Sequence, residues 1–481
     1  MSRRETAEQL IRFINASPTA FHAVRELGKM LEDAGFRALS ERERWELERG
    51  KAYYVTRNGS SLIAFRIPAA PDSPVPGFQI IASHSDSPSF KIKEQPELKT
   101  ENSYIRLNVE KYGGMLMAPW FDRPLSAAGR VIAERQGRLY GKLVNLDRDL
   151  LLIPNVAIHM NRKVNEGYAY NPQKDLLPLY GMCGEGKGFL SEVAEAAGLS
   201  ADDIRGMDLF LYNRQPGTVW GTEDCFLSAP RLDDLECAWA SVRGLIDACR
   251  KTQDSATPSE DTGAAPAPVL QPEKCAHEGC SIPVCCVFDN EEVGSGTKQG
   301  AASTFLKDTL QRILFGLQEP GTGAGSSDPG MHGADLLPRA LAGSFMISAD
   351  NAHALHPNHP ELSDPVNRPV LNGGIVIKHS ANQKYTTDGI SAALFRTLLK
   401  GAGLKYQEFL NRSDMLGGST LGNISNTQVS LNTVDIGLPQ LAMHSPFETA
   451  GTEDLADLVK AAALFYSAAF HAAEDGSFGW R

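Results

Sequence analysis

Residues 289 to 295 read Asp-Asn-Glu-Glu-Val-Gly-Ser and directly follow an apolar run from Ile282 to Phe288. Two adjacent carboxylates at the end of a buried strand are costly to desolvate, so they need cations or protons as partners. Bound metal ions supply that charge, with one Glu as ligand and its neighbour free to handle a proton. Matching ligands should then stand at other strand ends.

Four further segments offer them. His84-Ser85-Asp86 follows an apolar strand at Phe78 to Ala82. Residues two apart on an extended segment face the same way, so Asp86 can take one ring N–H of His84 and leave the other nitrogen for a metal. Taken alone this is weak, because His-x-Asp is common on surfaces. Asp233 and Asp234 open a helix, and on their own they read best as an N-cap. Asp350 ends a strand expected to lie beside the strand that leads to Glu291 and Glu292. His444 ends an apolar strand at Gln440 to Met443, where a lone His is more often a hydrogen-bonded core residue. Their agreement carries more than any one signal, since functional groups of an open α/β sheet gather at the carboxyl ends of its strands. Five N/O ligands without a thiolate suit two divalent ions sharing a carboxylate. Zinc comes first, with manganese or cobalt as alternatives.

The elements that must position these residues alternate. Helices are predicted at the first 35 residues (interrupted at Ser17-Pro18-Thr19), at Leu235 to Cys249, Ala301 to Leu317 and Ile390 to Leu399. Strands are predicted at Tyr53 to Val55 and Leu62 to Ile67, joined at Asn58-Gly59, and near Val284, Phe345 to Ser348 and Gly374 to Lys378. Strands alternating with helices mean a mixed, mostly parallel sheet sandwiched by helices, an α/β fold. Between Lys93 and Phe226 the texture changes to short alternating runs, which reads as a β-rich inserted domain. Residues 252 to 272 and 321 to 333 read as loops.

Composition narrows the class. The 481 residues are 42% hydrophobic and 22% charged, enough for one large domain and a smaller one. A net charge of −11 without basic blocks excludes a nucleic-acid or anionic-membrane surface. No apolar run approaches the roughly 18–20 residues of a membrane span. Eight scattered cysteines read as reduced thiols, and the adjacent Cys285 and Cys286 should face opposite sides of a strand, which predicts a cytoplasmic protein.

With these residues assembled, the chain resembles the aspartyl aminopeptidase family of two-metal aminopeptidases along essentially its whole length. The anchors are Ser-His-Ser-Asp-Ser-Pro (83 to 88), Ala-Pro-Arg-Leu-Asp (229 to 233), Asp-Asn-Glu-Glu-Val-Gly-Ser (289 to 295), Ser-Ala-Asp-Asn-Ala-His-Ala-Leu-His-Pro-Asn (348 to 358) and Gln-Leu-Ala-Met-His-Ser (440 to 445). The resemblance implies that Asp233 bridges two metals, that His84 and Asp350 hold one, and that Glu292 and His444 hold the other. Glu291 matches the general base and Asp86 the partner of His84. It implies a catalytic domain at 1–94 and 228–481, an inserted dimerisation domain at 95–227, and dimers assembled into a tetrahedral dodecamer. His159 matches a histidine that reaches a neighbouring subunit's active site. Lys378, Tyr385 and the Gly417-Gly418-Ser419-Thr420 segment match positions that line the substrate. His353, His356 and His359, broken up by Pro357 and Pro360, are expected to support the Asp350 loop or subunit packing.

The implied activity is removal of an N-terminal Asp or Glu from peptides with a free N-terminus. The alternatives are a related two-metal aminopeptidase with neutral preference and a catalytically silent self-assembling shell or cargo protein. A glycosidase reading of the Glu pair fails, because adjacent carboxylates cannot flank a sugar bond. Three departures from the family pattern bear on specificity: Asp234 where relatives often have Asn, a long loop after Cys249, and the stretch from Met415 to Gly418.

Overall fold

The computed structural model describes residues 2–69, 77–254, 281–317, 335–468, 470–473, 475 and 477–480. The loops expected at 252–272 and 321–333 lie almost wholly outside these residues, as do Cys275 and Cys280.

A nine-stranded sheet forms the main body of the chain. Its spatial order is Arg37–Leu39, Ala52–Arg57, Ser61–Arg66, Ile282–Phe288, Phe78–His84, Phe345–Ala349, Asn432–Gly437, Ile375–Lys378 and Tyr406–Phe409. The central pairings are parallel, and antiparallel contacts flank them, so the sheet is mixed and mostly parallel. Every residue of Phe78–His84 and of Ile282–Phe288 is buried, as expected for strands covered on both faces.

Side chains of neighbouring residues go to opposite faces. Ile81, Cys285 and Ile347 join one core with Leu10, Trp239 and Phe465, beneath helices Arg3–Ala16, Leu232–Asp254 and Thr452–Ser467. Ile80, Cys286 and Met346 join the other core with Phe305 and Ile313 of helix Phe305–Gly316. The period of two along each strand therefore builds both layers. Each such side chain, fully buried, contributes about 1.5–3 kcal/mol. The first helix stops before Ser17, as expected from Ser17-Pro18-Thr19, and starts with a capping box between Ser2 and Glu5. The Asn58-Gly59 turn has both residues at positive φ (59° and 67°), which links its two strands tightly.

The inserted region folds as a separate six-stranded antiparallel sheet, in the order Arg138–Asn145, Leu125–Arg135, Ile204–Asn213, Ser89–Thr100, Tyr104–Tyr112 and Leu179–Met182. It has its own core of Phe90, Trp120, Phe189 and Leu209. The boundary expected between residues 94 and 95 falls inside Ser89–Thr100, so this sheet begins directly after the His84–Asp86 segment.

Two expectations about neighbours need correction. Phe345–Ala349 does not lie beside Ile282–Phe288; Phe78–His84 is intercalated and pairs with both. The strand before His444 is Pro439–Leu441, and it belongs to a separate five-stranded sheet with Ala352–His353, Glu448–Gly451, Phe226–Ala229 and Thr218–Trp220. His444 lies beyond it in a turn, at φ +65°. Alternating apolar residues define a strand but not which sheet it joins, hence both errors.

Candidate metal centre

His84 ends its strand with its ring buried. Nδ1 lies 3.1 Å from the Asp86 carbonyl and 3.4 Å from Asp86 Oδ1. A proton on Nδ1 donated to Asp86 leaves the Nε2 lone pair facing Asp233 Oδ1 at 3.5 Å. The Asp86 carboxylate has other donors as well: Tyr112 Oη at 2.6 Å and the amides of Glu291 and Glu292 at 3.1 and 3.2 Å. One carboxylate thus orients the histidine and pins the turn that carries the Glu pair.

That turn, Glu291–Val293, follows Asn290 in the left-handed region (φ 64°) and closes at Gly294, also left-handed. The reversal brings both glutamates back over the strand ends. Asp233 stands at the start of Leu232–Asp254 with non-helical φ −82° and ψ 107°. The N-cap reading of the aspartates fails here: Asp234 accepts the His84 amide at 3.1 Å, and Asp233 turns to the histidines. Asp233 Oδ2 is 3.3 Å from His444 Nε2, which is 3.4 Å from Glu292 Oε2. The two oxygens of Asp233 therefore face two different histidines. Asp350 completes the arrangement. Ligand atoms of His84, Asp233, Asp234 and Asp350 lie within 4.8 Å of one another, as do those of His84, Glu291 and Glu292, and those of Asp233, Glu292 and His444.

The electrostatics are those of a place prepared for cations. Burial raises the Glu291 carboxyl to about 8 and also raises Glu292, Asp234 and Asp350, in the last case against the pull of Lys378. Asp233 behaves oppositely: against the cost of burial, His444 and His84 hold it below the usual carboxylate range. Buried oxygens Asp233 Oδ1, Asp234 Oδ1 and Glu292 Oε1 have no hydrogen-bond partner. Orphaned buried carboxylate oxygens beside imidazole nitrogens are the donor set that a divalent ion such as zinc accepts, so the residues fit such ions.

Beside the cluster lies a pocket of about 130 Å³, lined opposite the carboxylates by His353, Lys378, Tyr385, Phe409, Met443 and Gly418 to Thr420. Lys378 is buried and donates to the carbonyls of Asp350 at 2.7 Å and Asn351 at 3.2 Å, with Nζ 5.2 Å from the Tyr385 ring centre. A larger cavity of about 400 Å³ lies behind the Ser85 to Ser89 segment, against the inserted sheet; its lining does not include His84, Asp233, Glu291 or Glu292.

His84, Asp233, Glu291, Glu292, Asp350, His444, Lys378, Tyr385 and Gly418 are thus brought together around one pocket, with Asp86 behind His84. His159 is not: it is exposed in a turn of the inserted region, outside the pocket lining. All three histidines of this segment are exposed, but His353 lines the pocket while His356 and His359 lie outside it with rings 5.2 Å apart. Sequence reasoning missed Glu448, whose carboxylate accepts the amides of Asp233 at 3.0 Å and His444 at 2.7 Å and so ties them together. Its one signal was position, four residues after His444. Tyr112 gave none, since its partner Asp86 is distant in sequence.

A sequence model of the family described as aminopeptidase I zinc metalloprotease (M18) matches residues 13–262 and 269–466. The chain belongs to the M18 family. A probable M18 family aminopeptidase 2 of Clostridium acetobutylicum is 43% identical over 469 residues, 96% of this chain and 99% of the relative. Among solved structures, the cryo-EM structure of the Ape4 and Nbr1 complex superposes with a TM-score of 0.85 at 32% identity, covering 97% of this chain and 86% of that one. The dodecamer of S. cerevisiae mApe1 superposes with a TM-score of 0.76 at 28% identity, covering 96% of each chain. This M18 chain is accordingly a metalloaminopeptidase of the two-metal fold, with a six-stranded sheet inserted between strands of its nine-stranded one. Among its described residues no helix is long and apolar enough to cross a membrane.

Proposed function

We propose that this M18 aminopeptidase removes the N-terminal residue of peptides, preferentially Asp or Glu, with two divalent ions held by His84, Asp233, Glu292, Asp350 and His444. The observation that carries the two-ion reading is Asp233, whose separate oxygens face His84 and His444. Zinc is the first choice because the family is described as a zinc metalloprotease and the donors are nitrogen and oxygen; manganese or cobalt would suit the same set. When bound, the ions supply a polarised carbonyl and a water acidified enough to attack near neutral pH.

The chain's own residues do the rest. Glu291 takes the attacking water's proton and passes it to the departing amine, a role that suits a carboxylate beside the cluster but outside the five ligands. Asp86 keeps His84 in the tautomer that presents Nε2 and holds Glu291 in place through its amide. The small pocket takes the first side chain. There Lys378 would pair an acidic group out of water, where an unpaired carboxylate is costly. One observation favours a neutral preference instead: Lys378 already spends two donors on carbonyls, and Phe409, Tyr385 and Met443 give the pocket an apolar wall.

Assembly belongs to the same reading. Val156, Ile158 and Met160 flank His159 and are exposed, a surface suited to cover by a second copy. We infer dimers formed through the inserted domain and a tetrahedral dodecamer, supported by the dodecameric mApe1 relative, with His159 reaching a neighbouring pocket. Among the described residues, Cys183, Cys225, Cys237, Cys249, Cys285 and Cys286 form no disulfide, which supports cytoplasmic residence.

Glu291→Gln tests the mechanism: turnover should fall about 100- to 10,000-fold while metal content holds. Undiminished turnover sinks the role of Glu291. Comparing kcat/KM for Asp-, Glu- and Leu-peptides, in the native chain and in Lys378→Met, separates the specificities. An acidic preference lost in the variant supports the Lys378 pairing; preference for Leu in the native chain rejects it.

A further inference from the structure

Asp435 lies within the Asn432–Gly437 strand, fully buried and outside the pocket lining. Hydroxyls and an amide from two loops meet its carboxylate. Oδ1 accepts Thr420 Oγ1 at 2.6 Å, and Oδ2 accepts Thr386 Oγ1 at 2.6 Å together with the Thr386 amide. The Asp435 amide in turn donates to Thr387 Oγ1 at 2.9 Å.

Both loops face the substrate pocket. Thr386 follows Tyr385, and Thr420 ends the Gly418 to Thr420 wall. Direct bonds between the loops are long: Thr420 N to Lys384 O and Asn423 Nδ2 to Gln383 O, each at 3.4 Å. At 2.6 Å the hydroxyl bonds to Asp435 are far shorter than these, so the firm link between the loops runs through its carboxylate. Gly422 shows how closely this region packs, since a Cβ there would sit 2.9 Å from Asp435 Oδ1.

We propose that Asp435 is a positioning residue that locks the Tyr385 loop and the Gly418 loop to each other and to the sheet, and so sets how tightly the substrate's N-terminal residue is held. Metal binding is left to the other side of the pocket. The inference rests on the aminopeptidase reading of that pocket.

The test uses the full chain loaded with zinc and the peptide it cleaves best. Thr386→Val removes one hydroxyl to Asp435 without touching the pocket lining; KM should rise about tenfold, with kcat and zinc stoichiometry unchanged. Thr386→Ser keeps the hydroxyl and should retain the native KM. Asp435→Ala should raise KM in the same direction, and adding Thr386→Val to it should change KM no further. If Asp435→Ala does not fold, the Val and Ser pair still decides. A native KM in Thr386→Val, equal effects of Val and Ser, or a loss of kcat or zinc in place of the KM change would overturn the inference. A native chain that cleaves no peptide would sink the aminopeptidase reading instead.

Discussion

At the residue scale, Asp86 ties the proposed ligand His84 to the turn that carries Glu291 and Glu292. Its carboxylate meets only donors: His84 Nδ1, Tyr112 Oη and two backbone amides. In Asp86→Asn, either orientation of the amide turns an NH2 group toward one of those backbone N–H groups. Zinc affinity, measured by chelator competition, should therefore fall about 10- to 100-fold. Tyr112→Phe removes one donor to Asp86 and the acceptor of Asn290 Nδ2, and should cost about 1–3 kcal/mol of stability, with zinc affinity changed less than in Asp86→Asn. Equal zinc affinity in all three proteins would show that Asp86 does not orient His84. The carboxylates beside strands were legible in the sequence because their burial demanded cations. Tyr112 and Glu448 were not, because each acts through a partner brought near only by folding.

At the element scale, the proposed ligands sit where strands and turns end, and close packing fixes those ends. Gly437 closes its strand against the segment after Phe345–Ala349; a Cβ there would lie 2.0 Å from the Asp350 carbonyl. Backbone on both sides prevents relief, so Gly437→Ala should push the Asp350 segment outward. The expected cost is about 1–3 kcal/mol, read from denaturant unfolding, together with weaker zinc binding. Unchanged stability with full zinc content would mean that the Asp350 segment is free to move. The strand periods that placed Cys285 and Cys286 on opposite faces were readable from sequence. Strand order was not, and the intercalation of Phe78–His84 between the strands leading to Glu291 and Asp350 is a fact of topology alone.

At the scale of the whole molecule, buried acids make the metal-free protein sensitive to pH. Burial raises Glu236 from 4.5 to about 8 and Asp454 from 3.8 to about 7. In that window the native chain keeps protons that the unfolded chain has released, so stability falls as pH rises. His84 and His444 act in the same direction. Against the cost of burial, neighbouring carboxylates raise both above 6.5, and the stability they add below that value is lost as pH climbs through the raised one. Asp233 titrates below its ordinary 3.8, so its contribution is already complete in this range and cannot offset the loss. Chelator-treated protein should thus melt at a lower temperature at pH 8 than at pH 6, and zinc should recover more of Tm at pH 8. A Tm that is flat or rises with pH after chelation would contradict this account.

The residue types at strand ends, the alternation of helices with strands and the motif strings were all present in the linear chain. They determined the fold class, the family and which side chains could do chemistry, because local periodicity and the cost of burying charge act on nearest neighbours. Tertiary structure alone decided that Asp233 faces two histidines, that His353 joins the pocket while His356 and His359 stay outside, and that Asp435 reaches both pocket loops. Those relations join residues far apart in the chain, and their distances exist only once the sheet order has closed.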